Sequence, residues 1–127
     1  MRIIIAAICL AGSCLPAFAG YGDIITPTQA LSRIGQCATV EGRATIVPAI
    51  GGRIGMQMTV EDDTNRLTGY INGPAAFPDL MSLDGQTVNL TGVVHMVYGR
   101  PEIALNSPDY VWAAGNAPDH LVACKSD

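Results

Sequence analysis

Positive charge is scarce in this chain: seven Lys and Arg stand against eleven Asp and Glu, a formal net of −4. Generic nucleic-acid binders show the opposite balance, so any anion-binding surface here has to be local. Aromatic residues make up only 6% and charged residues 14%. Histidine occurs twice, as His95 and His120, and neither sits near a Cys, a Ser-Gly motif or a carboxylate pattern that would make a triad or a metal set. Four cysteines include no CxxC and no Cys/His cluster, which argues against redox and zinc chemistry. No catalytic residue, metal or cofactor is therefore assigned. Ile50-Gly51-Gly52-Arg53-Ile54-Gly55 lacks the spacing and the Lys-Ser/Thr ending of a phosphate loop and reads as a flexible hairpin.

The one long apolar run is at the start. Arg2, then IIIAAICLAGSCL, then Ala17-Phe18-Ala19 before Gly20 is the order of a secretory signal peptide cleaved after Ala19. The run is short for a bilayer span. A lipoprotein signal ending at Cys14 is the weaker alternative, because the large apolar residue stands one place too far upstream. The expectation is a periplasmic or secreted protein: residues 1–19 as signal and 20–127 as one domain, with its barrel over about 36–112 and a tail over 113–127. Losing Arg2 makes the mature chain one unit more acidic. Cys9 and Cys14 leave with the signal, and the two cysteines that stay in an exported chain, Cys37 and Cys124, suggest one disulfide. Closing so long a loop is worth roughly 4 kcal/mol in the loop-entropy picture. Two free thiols are the alternative.

What is present is period-two hydrophobicity. Ala38, Val40, Gly42, Ala44 and Ile46 share one side of a first strand; Ile54, Met56, Met58 and Val60 share one side of a second. Leu67, Gly69 and Ile71 do so in a third, and Val88, Leu90, Gly92, Val94 and Met96 in a fourth. A Tyr98-Gly99-Arg100 turn joins the fourth to a fifth, which carries Ile103 and Leu105. The methionines at alternating strand positions read as core filler, not as a thioether metal site. Thr26-Pro27-Thr28-Gln29 is a capping-box signature for a helix closed by Gly35. A second short helix is expected between strands three and four, with Phe77, Leu80 and Met81 as its apolar contacts and Gly85 at its end. Glu61-Asp62-Asp63-Thr64-Asn65 lacks the Gly and the distal Glu of a calcium loop and reads as a solvated turn. Tyr110 to Trp112 are expected to pack on the barrel.

This order is that of a mainly β, five-stranded OB-fold barrel with an N-terminal helix and a short helix between strands three and four. VEGRATIV at 40–47, FPDLMSLDGQTVNLTGVV at 77–94 and YGRPEIALNSP at 98–108 resemble the small exported bacterial OB-fold proteins, the nucleic-acid-binding-like OB domains. The resemblance implies a fold more than a function. It also implies a ligand face on strands two and three, framed by the loops joining strands one to two and four to five. Transferred to this chain, that face holds Arg43, Arg53, Gln57, Tyr70, Tyr98 and Arg100, with Thr59, Thr68, Asn72 and Arg66 beside them. The expected function is a non-catalytic binding module for an oligonucleotide, an oligosaccharide or another anionic ligand. The competing expectation is a protein-interaction or envelope-stress component that uses the barrel as a docking surface. Partners on these readings are a nucleic acid, a glycan or an envelope protein. An OB-fold nuclease would need a set of acids and an arginine around calcium that this sequence does not match.

Overall fold

The computed structural model describes residues 24–117. The signal-peptide, Cys124 and His120 readings fall outside that range, and with them one half of the expected Cys37–Cys124 bond. Eight strands form one sheet: β1 (Ile24–Ile25), β2 (Cys37–Pro48), β3 (Met56–Glu61), β4 (Arg66–Ile71), β5 (Thr87–Val93), β6 (His95–Val97), β7 (Arg100–Ala104) and β8 (Val111–Ala113). The order is β6-β7-β4-β3-β2-β5-β8, with β1 pairing β2 in parallel. All other pairings are antiparallel except β4 with β7.

Alternation sets the core. Val40, Met58, Val60, Leu67, Ile71, Val88, Leu90, Val94 and Ile103 are fully buried, and Leu105 nearly so. Two of the inward glycines stand where neighbours come too close for a side chain. A Cβ on Gly42 would stand 2.9 Å from the Glu61 backbone, and one on Gly69 would stand 2.7 Å from the Leu105 side chain.

Three differences from the sequence-based picture have local causes. First, the strand count is eight rather than five. The segment expected as one fourth strand divides at Val94, whose backbone turns aside to bond Gly35 and Gln36, and residues 24–25 and 111–113 add β1 and β8. Second, the N-terminal helix is the single turn α1 (Pro27–Ala30). Its capping box forms as expected, but Leu31, Ser32 and Arg33 all donate to carbonyls three residues back, a tightening that stops the α-helix well before Gly35. Between β4 and β5 lie two 3-10 turns, Pro74–Ala76 and Leu80–Leu83, in place of one helix, with Pro78 between them. Phe77 and Leu80 are buried there, while Met81 is exposed. Third, Ile54 and Met96 point outward, at 73% and 50% exposure. Gly55 adopts φ 96 and breaks the alternation ahead of Met56, and Met96 lies on β6, which ends the sheet.

Candidate functional site

Residues 49–55 between β2 and β3 and the tight turn between β6 and β7 come to the same end of the sheet. The turn is set by Tyr98 and Gly99, with φ of 51° and 77°, between the paired residues Val97 and Arg100. Positive φ at both central positions is the signature of a type I′ hairpin turn. Glycine takes it freely, whereas tyrosine is an uncommon occupant. Tyr98 is also 91% exposed.

Below these loops the outward residues of β3, β4 and β7 form a floor. Gln57 lies opposite Tyr70, Thr59 opposite Thr68, and Thr68 beside Glu102. A cavity of about 440 Å³ is lined by Ile50, Gly51, Arg53, Gln57, Thr68, Val97, Tyr98, Arg100 and Glu102. A neighbouring cavity of about 500 Å³ shares Ile50, Gln57, Thr68 and Arg100 and adds Thr59, Arg66 and Pro101. The shared walls make the two a continuous groove.

Of the six residues expected on this face, Arg53, Gln57, Tyr98 and Arg100 line the groove directly. Tyr70 stands behind Arg53, whose guanidinium lies 3.7 Å from the tyrosine ring centroid. Arg43 is not in the groove wall; it is exposed on β2, opposite Glu61 and Thr87.

Arg53 is also engaged elsewhere. Its Nη1 and Nη2 donate to the two Glu102 carboxylate oxygens at 2.7 and 2.9 Å. The hydrogen bond to Glu102 is the largest cause raising the Arg53 pKa, against desolvation. The Tyr70 hydroxyl donates to the Ile54 carbonyl, so the same cluster fastens residues 53–54 to the sheet. Glu102 is itself only 8% exposed, and it is held in a salt bridge to Arg53. The expected place of Arg53 on the ligand face thus comes with a partner the sequence reading did not assign to it, Glu102. A pair brought together by the β4–β7 crossover leaves no local signal.

Arg66 and Arg100 remain exposed and carry no carboxylate partner among the described residues. At the far end of the groove, Asp62 is fully occupied. Its Oδ1 accepts from the Thr64 and Asn65 backbone amides, and its Oδ2 from the Thr28 amide and hydroxyl. These bonds, led by the one from Asn65, hold its pKa well below the ordinary carboxylate range. The acidic turn is thus a clasp between α1 and the β3–β4 hairpin.

No family model matches the chain, and no curated protein does. Among solved structures it is similar to the hypothetical protein ygiW from E. coli, at 17% identity and a TM-score of 0.52, over 73% of this chain and 91% of that one. It is also similar to a putative aspartyl-tRNA synthetase from Leishmania major Friedlin, at 11% identity and a TM-score of 0.50, over 72% of this chain but 20% of that one. These likenesses are of fold alone, and the fold they support is a small β-barrel.

Proposed function

We propose that this protein is an exported, non-catalytic OB-fold module that binds an anionic ligand, an oligonucleotide or an oligosaccharide among them, in the groove over β3, β4 and β7. In favour of the OB assignment, β2, β3 and β4 are joined as a meander, β7 returns in parallel beside β4, and β5 pairs with β2. Only Val94 separates β5 from β6. Counting them as one strand is what the five-strand reading requires.

The observation that carries the binding reading is convergence. Two loops and the outer residues of three strands meet at one groove, and Arg66 and Arg100, which form no ion pair among the described residues, line it. Arg53 belongs to the frame, since Glu102 and Tyr70 hold it. The experiment is a binding screen of the purified exported protein against anionic and neutral oligosaccharides and single-stranded oligonucleotides, at low and at raised salt. Binding to anionic probes that weakens with salt and is lost in R100Q is the expected result. Binding to none of them at low salt would refute the reading.

A docking surface for an envelope protein is favoured by a different observation, the apolar rim of Ile50, Ile54, Met96 and Tyr98, each at least half exposed. Retention of one envelope protein with no small-ligand binding would favour that alternative. Export itself is tested by mass measurement before and after reduction. The expected results are loss of residues 1–19 and a two-hydrogen gain when the Cys37–Cys124 bond opens; a free thiol in the native form would contradict the bond.

A further inference from the structure

Within that groove the two cations free of internal pairing stand side by side. β4 and β7 pair in parallel from Thr68 beside Glu102 to Tyr70 beside Ala104, and Arg66 and Arg100 each stand two residues before that paired stretch, at the same end of the two strands. Both line the same cavity. Glu61 lies opposite Arg66 in register but forms no ion pair with it, and Glu102 is already bridged to Arg53. Two guanidiniums that share a groove with no ion-paired carboxylate repel, and an anion between them, taking two or more charge-assisted hydrogen bonds, relieves that repulsion.

The surroundings narrow what carries the anion. Between the arginines and the turn the lining is Gln57, Thr59 and Thr68, groups that both donate and accept and so suit hydroxyls. Sequence-tolerant single-strand binders stack successive bases on several aromatic platforms along a basic track. Here the Tyr70 ring is covered by the Arg53 guanidinium, which leaves Tyr98 as the aromatic residue lining either cavity. One charged subsite, a hydroxyl-matching floor and one stacking ring do not fit a run of phosphates.

We infer that the ligand is an acidic saccharide whose carboxylate or sulfate sits between Arg66 and Arg100 and whose sugar ring packs against Tyr98. This rests on the groove being the binding face.

The test is calorimetry of the exported chain with four probes: tetragalacturonate, a sulfated heparin disaccharide, a neutral galactose tetramer and an eight-residue oligo-dT. Binding of the carboxylated or the sulfated probe, at least about tenfold tighter than the neutral tetramer, is expected, and which of the two binds identifies the acid. R66Q and R100Q should each weaken it about tenfold, and Y98A severalfold. R33Q, in the turn after α1, should leave it unchanged. All four positions are on the surface or partly so, and an unaltered circular-dichroism melt verifies folding. Equal binding of the neutral tetramer, or no loss in R66Q and R100Q, overturns the inference. Tighter binding of oligo-dT overturns it too while leaving the anionic groove standing. Binding of none of the four removes both.

Discussion

The two sides of this sheet put outward polar residues to different uses. On β2 and β5 they are withdrawn from solvent: Thr39, Asn89 and Thr91 are all buried. There the polar groups satisfy one another. The Thr39 and Thr91 hydroxyls lie 2.9 Å apart, and the Asn89 amide, oriented to suit its neighbours, donates to Glu41 and accepts from the Trp112 indole. Over β3, β4 and β7 Arg53 covers Tyr70 and pairs with Glu102, but the rest of the floor opens onto a groove where two arginines are left without carboxylates among the described residues. Alternation alone labels both sides polar and outward. What separates them is whether the chain supplies the partners, because a buried polar group left unpaired costs more than a pair gains.

Substitutions at both sides sharpen this contrast. The largest effect should come from the frame of the open side. R53Q strips a nearly buried carboxylate of its bidentate partner and should cost about 2 kcal/mol in denaturant unfolding. E102Q, which keeps a neutral acceptor for Arg53, should cost less; equal losses would show that the pair contributes as packing only. Next, on the covered side, T39V leaves the Thr91 hydroxyl buried without its partner and should cost about 1–2 kcal/mol. T39V/T91V should recover part of that loss, and simple addition of the two single effects would refute the coupling.

Asp62 follows. Its folded pKa lies below the ordinary value of 3.8, so the folded state holds fewer protons than the unfolded chain. The stability it contributes is fully present above that value and is lost as pH falls beneath it. The melting temperature should therefore drop on acidification below about pH 4 more steeply in the native protein than in D62N. Parallel curves would contradict the clasp. Smallest of all, R66Q and R100Q should change stability by less than about 0.5 kcal/mol, since neither arginine has an internal partner to lose. A loss the size of that in R53Q would mean that they serve the fold and not a ligand.

Much of the fold was legible in the residues. The inward sets of β2, β4 and β7 follow period two, the capping box at Thr26 forms, and Tyr98-Gly99 makes the tight turn it announces. The meeting of Arg53, Gln57, Tyr98 and Arg100 followed from loop positions in a barrel of this strand order. The Arg53–Glu102 bridge and the neighbouring of Arg66 and Arg100 did not. Both depend on a parallel pairing between β4 and β7, whose register no local pattern specifies. The burial of Thr39 and Thr91 was hidden for a related reason: alternation marks both as outward, and their meeting across β2 and β5 is a long-range event.

Amide chemical-shift mapping during titration with an acidic saccharide tests most directly which side is the open one. The account predicts that the shifts concentrate on Gln57, Thr59, Arg66, Thr68, Tyr98 and Arg100 while Asn89, Thr91 and Trp112 stay still. Shifts centred on Asn89 and Trp112, with the β3–β4 floor unmoved, would contradict it.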